Sequence, residues 1–195
     1  MRFVHLADVH LDTSFAGRSA TVRRRLREAS REAFRRTADL AIREDANALL
    51  IAGDLFDGDR LSFQTERFLL EQMRRLEQHG VAVVYATGNH DPGSPLSGPR
   101  ALDWPGNVHV AWDATPKRIL IHDREGEPVG YVSAAGHASD QEKRDLSRLI
   151  PAPKGDLPEV ALLHTQVHSS LGAEEHHAYA PSELTYLIRS GFEYW

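Results

Sequence analysis

Four segments of this sequence carry side chains that could bind metal ions, and each segment directly follows a short apolar run. The segments are Asp8-Val9-His10, Gly53-Asp54-Leu55-Phe56-Asp57, Gly88-Asn89-His90-Asp91 and His164-Thr165. Each motif alone is also typical of a turn or a cap. The carboxyl ends of the strands in an α/β sheet, however, share one edge, and sites form there. We therefore expect one crevice to collect Asp8, His10, Asp54, Asn89, His90 and His164.

The chemistry of this set indicates a divalent cation. Carboxylate, amide and imidazole ligands without sulfur suit manganese, iron or zinc better than an all-oxygen calcium or magnesium cage. Asp54 follows the middle one of three consecutive apolar runs, so its carboxylate is placed to bridge two cations. Two such cations activate a water molecule and hold a phosphate for in-line attack. His90 could then serve as the general acid, because imidazole titrates near neutral pH, with Asp91 orienting or charging it.

The segments that must position these residues predict an α/β fold. The four apolar runs lie at residues 3–7, 48–52, 81–86 and 160–163 and are continuous, which is typical of strands buried on both faces. Amphipathic stretches at residues 20–44 and 62–79 separate the first three runs, and Gly80 ends the second stretch. This alternation of strand and helix predicts a layered α/β domain.

The later part of the chain follows a different pattern. Residues 107–133 contain three short strand-like segments separated by turn-forming residues, which predicts antiparallel hairpins. We expect further helices at about residues 140–149 and 181–190. His5 is expected to pack in the core or against the sheet.

Composition excludes several classes of protein. The chain has 195 residues, a length that suits one domain or one domain plus part of a second. Its formal net charge is −5. The absence of cysteine excludes disulfides and thiolate metal sites and predicts a cytoplasmic location. No apolar run approaches the roughly 18 residues of a membrane span, and the N-terminus does not resemble a signal peptide. The negative net charge argues against a basic protein that coats nucleic acid, but nucleic acid stays possible as a substrate.

One basic stretch has two interpretations. Residues 18–43 contain nine arginines but only three acidic residues. The stretch is either a solvated helix face with ion pairs or a surface that contacts phosphates. The sequence leaves both open.

The four motifs in order resemble the signature of the calcineurin-like metallophosphoesterases. The residues that flank Asp8, Asp54 and His164 are similar, more specifically, to those of the SbcD-type DNA repair exonucleases. The resemblance implies that Asp8 and His10 bind one metal, that Asn89 and His164 bind the second and that Asp54 bridges them. It also implies that His90 is the catalytic histidine, that Asp91 is its partner and that Asp57 lies off the metal.

The same resemblance implies a fold and an activity. The fold would be layered, with mixed central sheets flanked by helices, and residues 1–195 would form one nuclease domain. The activity would be hydrolysis of DNA phosphodiesters with two metal ions, typically manganese. The partners would be DNA as the substrate, an SbcC-like coiled-coil ATPase and a second copy of the chain.

The family pattern continues with a Gly-His-x-His motif that this sequence does not contain. We therefore expect the domain to be incomplete at its C-terminus, to bind metal weakly and to have little or no nuclease activity. Two alternatives stay open: a phosphatase or nucleotidase acting on a small ester or phosphoprotein, and a non-catalytic scaffold of the same fold. A functional role is not favoured for the remaining histidines near the motifs, which are His137, His168, His176 and His177.

Overall fold

A computed structural model of the chain describes residues 1–57, 61–93, 98–168 and 179–195, apart from the side chains of residues 98 and 99. The elements in chain order are β1 (Phe3–Leu6), α1 (Ala20–Arg43), β2 (Ala48–Ala52), α2 (Phe63–Gln78), β3 (Ala82–Ala86), α3 (Gly98–Ala101), β4 (Val108–Ala111), β5 (Lys117–His122), β6 (Pro128–Ala134), a 3-10 helix (Leu146–Leu149), β7 (Glu159–Leu162) and α4 (Leu184–Arg189). No helix in these ranges is both long and apolar enough to cross a membrane.

The first sheet is parallel and has the strand order β1-β2-β3-β4. Parallel pairing places the carboxyl ends of β1, β2 and β3 at one edge, as the sequence predicts. The expectation that residues 108–111 belong to an antiparallel hairpin is wrong, because β4 pairs in parallel with β3. The connection from residue 87 to residue 107 is long enough to return the chain to the starting edge, which a parallel pairing requires.

The second sheet has the order β5-β6-β7 and is mixed. β5 and β6 form the expected antiparallel hairpin, with Ile119 opposite Val132. β7 pairs in parallel with β6, with Val160 opposite Val132. The carboxyl end of β7 leads to His164, so this sheet brings the fourth motif toward the first sheet.

The core lies in two layers on either side of the first sheet. Alternate residues of β2 face opposite ways: Leu49 and Ile51 pack with α1 and α2, whereas Leu50 packs against the second sheet. All five residues of β2 are buried. The fold is therefore a pair of packed sheets with helices covering the outer face of the first, which confirms the predicted class.

The two long helices agree with the sequence prediction within a residue of each end. Ser19 caps α1 by accepting a hydrogen bond from the backbone of Val22, and Ser62 caps α2 by accepting one from Thr65. Gly80 follows α2 with a φ of 69°, a left-handed conformation that glycine adopts without steric cost. Side-chain capping thus fixes where both helices begin.

Two other expectations are wrong, and a third, the last helix, is correct only in part. Residues 140–149 form only a short 3-10 helix, because Asp145 caps it at Ser147 and Glu142 binds Arg144 locally instead of supporting a helical turn. The last helix is limited to Leu184–Arg189 because Ser182 pairs with Val167 in an isolated β-bridge. His5 is exposed and not in the core, and its Nδ1 atom lies 3.0 Å from the hydroxyl of Tyr194 at the surface of β1.

Candidate metal centre

The loops that follow β1 and β2 are held together by backbone pairing beyond the strands. The amide of His10 donates to the carbonyl of Asp54 at 3.0 Å, and the amide of Leu11 donates to the carbonyl of Leu55 at 2.9 Å. Asp8, His10 and Asp54 all have left-handed backbones, with φ of 54°, 48° and 50°. Such conformations are costly for residues with a side chain and tend to mark functional sites. The sheet edge therefore holds these three residues in a fixed, strained arrangement.

The Asp54 carboxylate lies at the centre of the site. It is 3% exposed, and its Oδ2 atom is 3.9 Å from His10 Nε2 and 3.4 Å from His164 Nε2. Its Oδ1 atom accepts a hydrogen bond of 2.9 Å from the backbone amide of His90. One carboxylate thus reaches an imidazole on either side while its other oxygen is anchored to the loop after β3.

His164 is oriented by the strand beside it. Its Nδ1 atom lies 2.9 Å from the carbonyl oxygen of Ala52, to which it donates, so Nε2 is the ring nitrogen that faces the candidate ligands. Nε2 is 3.0 Å from the Oδ1 atom of Asn89. The ring is therefore presented with one nitrogen anchored to backbone and the other directed at Asp54 and Asn89.

His10 is oriented in the same way by a carboxylate. Its Nδ1 atom is 2.6 Å from Asp57 Oδ1, and its Nε2 atom is 3.9 Å from Asp8 Oδ1. Asp57 also accepts a hydrogen bond of 2.6 Å from the hydroxyl of Thr13. A separation of 2.6 Å is that of a hydrogen bond, so Asp57 supports the His10 ring. Its carboxylate also forms, with His10 and His90, a group of possible metal donors whose atoms lie within 4.8 Å of one another.

The same carboxylate supports His90. The Nδ1 atom of His90 is 2.9 Å from Asp57 Oδ1, and the rings of His10 and His90 meet edge to face with centroids 4.8 Å apart. The His90 side chain is 49% exposed and lies beside the carboxylate and imidazole donors. Sequence reasoning named Asp57 but missed this contact; the three-residue spacing from Asp54 is the signal that could have found it.

Asp91 is not the neighbour of the His90 ring that the sequence suggested. Its carboxylate is 1% exposed and accepts hydrogen bonds from the backbone amides of Asp54, Leu55 and Gly88 and from the hydroxyl of Tyr85. The side chain turns inward because these amides, which lie in the loops after β2 and β3, need an acceptor. Asp91 therefore fixes the loop that carries Asp54.

The separations between donor atoms fit divalent cations. A cation bonded at about 2.1 Å to each of two donors places them about 3.0–4.2 Å apart, depending on the angle. The pairs formed by His164 with Asn89 and Asp54, and by His10 with Asp8 and Asp54, are separated by 3.0–3.9 Å. The described residues thus place donors on both sides of Asp54, and the ligand atoms of Asp8, Asp54 and His164 lie within 4.8 Å of one another.

The charges of the site are mutually supporting. Burial alone would raise the pKa of Asp54, but its hydrogen bond and charge pairing with His164 hold that pKa below the ordinary value. Burial would conversely lower the pKa of His164, yet Asp54 raises it to about 9. The positive charge of His164 stands where a cation would bind, so metal binding at this ring competes with a proton.

Asp57 is also held ionised. Burial raises its pKa, but hydrogen bonds from Thr13 and His10 and the nearby charges of His10 and His90 bring the pKa below the ordinary value. Asp91 differs, because burial raises its pKa above the ordinary value despite its hydrogen bonds.

His137 is a buried neighbour of the centre. It is fully buried, its Nε2 atom is 2.8 Å from the carbonyl oxygen of His164, and the two rings have centroids 5.5 Å apart. His168 is exposed, and its backbone amide bonds to the carbonyl of Ser182. His176 and His177 lie outside the described residues. Of the two described histidines in this group, His137 lies against a candidate ligand and His168 does not.

Gly88 is required by the close packing of the loop on Asp54. A Cβ atom at residue 88 would overlap the Asp54 carboxylate and lie 2.7 Å from the Asp54 backbone nitrogen. We expect Gly88→Ala to lower the free energy of unfolding by about 1–3 kcal/mol. We also expect it to weaken metal binding by about 10–100-fold, because the orientation of Asp54 is disturbed. Thermal unfolding and titration calorimetry with Mn²⁺ measure the two effects.

Gly106→Ala is the matched control for that substitution. Its Cβ atom would meet only Glu77 Oε1, at 3.4 Å, and its backbone is not left-handed. Equal metal affinity in Gly88→Ala and Gly106→Ala would contradict the dependence of the centre on this close approach.

A sheet edge that collects carboxylate, amide and imidazole donors around one aspartate is typical of enzymes that use divalent cations on phosphate esters. The sequence profile of the calcineurin-like phosphoesterase family matches residues 1–194. The chain belongs to that family, whose members are hydrolases of phosphoester bonds, and the predicted resemblance is confirmed.

Individual relatives agree with this placement. YhaO of Bacillus subtilis, called an uncharacterized metallophosphoesterase, is 32% identical over 203 aligned positions, covering 100% of this chain and 47% of YhaO. The SbcD subunit of the nuclease SbcCD from Rhodobacter capsulatus is 34% identical over 148 positions, covering 69% of this chain and 34% of the relative. The DNA double-strand break repair protein Mre11 of Methanopyrus kandleri is 34% identical over 91 positions, covering 47% of this chain and 19% of the relative. The chain spans about half the length, or less, of these relatives.

Proposed function

We propose that the protein is a metal-dependent phosphodiesterase that hydrolyses DNA in double-strand-break repair, with manganese as its cation. The observation that carries the proposal is the Asp54 carboxylate between His10 and His164, with the His90 ring beside His10. Such a centre suits two cations acting on one phosphate. The residues that would hold them are Asp8, His10, Asp54, Asn89 and His164.

The residues at the centre have separate roles in the proposed reaction. When bound, divalent cations polarise a phosphoryl oxygen and lower the pKa of a coordinated water. The His90 ring directs Nδ1 to Asp57, which leaves Nε2 to hold a proton for the leaving oxygen. Asp57 acts as a positioning residue, since it fixes the rings of both His10 and His90. Asp91 acts indirectly, because it holds the backbone of the loop that carries Asp54.

The choice of DNA rests on the relatives and on the residues around the motifs. Two of the relatives are, by name, part of a nuclease and a DNA double-strand break repair protein. We extend the proposal to an SbcC-like coiled-coil ATPase as partner, to a homodimer and to a cytoplasmic location, the last supported by the absence of cysteine.

The test is a comparison of substrates on the natural full-length polypeptide. We expect Mn²⁺-dependent degradation of linear duplex DNA, abolished by EDTA, and much slower hydrolysis of p-nitrophenyl phosphate. Hydrolysis of the aryl phosphate without DNA degradation would replace the nuclease by a phosphatase or nucleotidase. Inactivity on both substrates, with metal bound, would favour a non-catalytic scaffold.

A further inference from the structure

The arginines of α1 are not equivalent. In the second half of the helix, Arg35 and Arg36 both pair with Glu32. In the first half, Arg23 and Arg24 are exposed and form no ion pair with any residue in the described part of the chain. The two interpretations of this stretch therefore apply to different halves of one helix.

Four arginines of the first half, Arg23, Arg24, Arg27 and Arg31, line one cleft. The cleft has a volume of about 430 Å³, and we call it the arginine cleft. Its side chains include Asp12, Arg23, Arg24, Arg27, Arg31 and Ser62.

The positive charge of the arginine cleft is largely uncompensated. Among the described residues that line it, the one carboxylate is that of Asp12, which already accepts hydrogen bonds from the Ser62 amide at 2.7 Å and the Thr65 hydroxyl at 2.6 Å. Asp12 faces Arg31 at 3.9 Å, so Arg31 is the member that is partly neutralised. The remaining guanidinium groups leave a net positive site.

The helix itself adds to this charge. Residues spaced by four lie on one helix face, so Arg23, Arg27 and Arg31 repel one another. The first turn of α1 contains no acidic residue, and the positive end of the helix dipole is therefore not offset locally. Clustered like charges destabilise the helix unless an anion binds among them. Phosphate is a suitable anion, because one guanidinium group can donate two parallel hydrogen bonds to two phosphate oxygens.

The arginine cleft adjoins the metal centre through one loop. The Nε atom of Arg27 donates to the carbonyl of Thr13 at 3.0 Å. The Thr13 hydroxyl bonds to Asp57, which contacts both His10 and His90. A ligand with several phosphates in a chain can occupy the centre and the cleft together, whereas a small phosphate ester cannot.

We propose that the arginine cleft binds the phosphodiester backbone of a nucleic-acid strand whose scissile phosphate lies at the metal centre. The inference rests on the proposed function and adds a site that favours a polymer over a small ester. Phosphate contacts of this kind give affinity and position without reading sequence, and they weaken with salt.

The test is the salt dependence of duplex binding by the full-length polypeptide in EDTA, where cleavage cannot occur. The double variant Arg23→Gln, Arg24→Gln keeps helix-forming residues and removes two charges. We expect the slope of log affinity against log salt concentration to fall by about 1–2, because each lost phosphate contact removes about 0.9. The slope is measured by fluorescence anisotropy of a labelled duplex of about 30 base pairs. The salt concentration is varied between about 50 and 200 mM, the range over which phosphate contacts weaken strongly.

The matched control is Arg35→Gln, Arg36→Gln on the same helix, whose arginines are already paired with Glu32. We expect its slope to equal that of the unchanged polypeptide. An unchanged slope in the first variant, or an equal fall in both, would overturn the inference. Hydrolysis of bis-p-nitrophenyl phosphate by the unchanged polypeptide reports the metal centre separately. If the unchanged polypeptide degrades DNA and the first variant binds duplex with a normal salt slope, DNA binding by the arginine cleft is refuted. The proposed function would still stand in that case.

Discussion

Replacement of His90 by asparagine is expected to lower Mn²⁺-dependent DNA cleavage by about 10²–10⁴-fold, the range for loss of a general acid. The reason is geometric: the ring lies beside His10, and Asp57 fixes its Nδ1 atom at 2.9 Å. Asparagine cannot carry a proton to a leaving oxygen. The rate of nucleotide release from linear duplex at saturating metal, measured on the full-length polypeptide, gives the size of the loss.

His122→Asn is the control, since His122 is exposed at the end of β5. It should cleave at the normal rate. Metal binding by His90→Asn should also be close to normal in calorimetry, because the candidate ligands are untouched. Intact DNA cleavage by His90→Asn would show that the catalytic assignment is wrong.

Asp54→Asn is expected to have the other large effect, a loss of at least about 10³-fold in activity together with the loss of both metal sites. A bound cation contributes several kcal/mol to the transition state, and each 1.36 kcal/mol corresponds to a factor of about ten. Asn keeps an oxygen to accept the His90 amide at this position but loses the negative charge that His10 and His164 face. Calorimetric titration with Mn²⁺ measures the loss directly.

Glu159→Gln separates this effect from general destabilisation. Glu159 is also a buried acid, 2% exposed, and it pairs with Arg118 at the start of β7, away from the candidate ligands. We expect this variant to unfold at a lower temperature but to bind Mn²⁺ normally. If Asp54→Asn retained two Mn²⁺ sites, the bridging role would be refuted.

The sequence was informative wherever local rules decide structure. Continuous apolar runs identified the strands that precede the motifs, and amphipathic spacing located both long helices to within a residue of their ends. β4 shows the limit of such rules: a short apolar segment does not encode whether its partner runs parallel or antiparallel. That choice depends on where a long connection returns the chain.

The candidate site shows the same division more sharply. The order of the apolar runs put Asp54 after the middle strand, and the family resemblance implied that it is the bridge; the structure places its carboxylate 3.9 Å from His10 and 3.4 Å from His164. Adjacency in sequence, however, suggested Asp91 as the partner of His90. The fold instead gives that contact to Asp57, because the Asp91 carboxylate is occupied by buried backbone amides.

By itself, the sequence determined which residue types reach the sheet edge, since parallel strands place the residues that follow them on the same side. It also determined how many arginines α1 carries, but not their roles. Only the tertiary structure decided that Arg35 and Arg36 pair with Glu32 while Arg23 and Arg24 line an open cleft near Asp57. The physical reason is that the compensation of a charge depends on distance in space, and the distances across this site are set by packing between elements far apart in the chain.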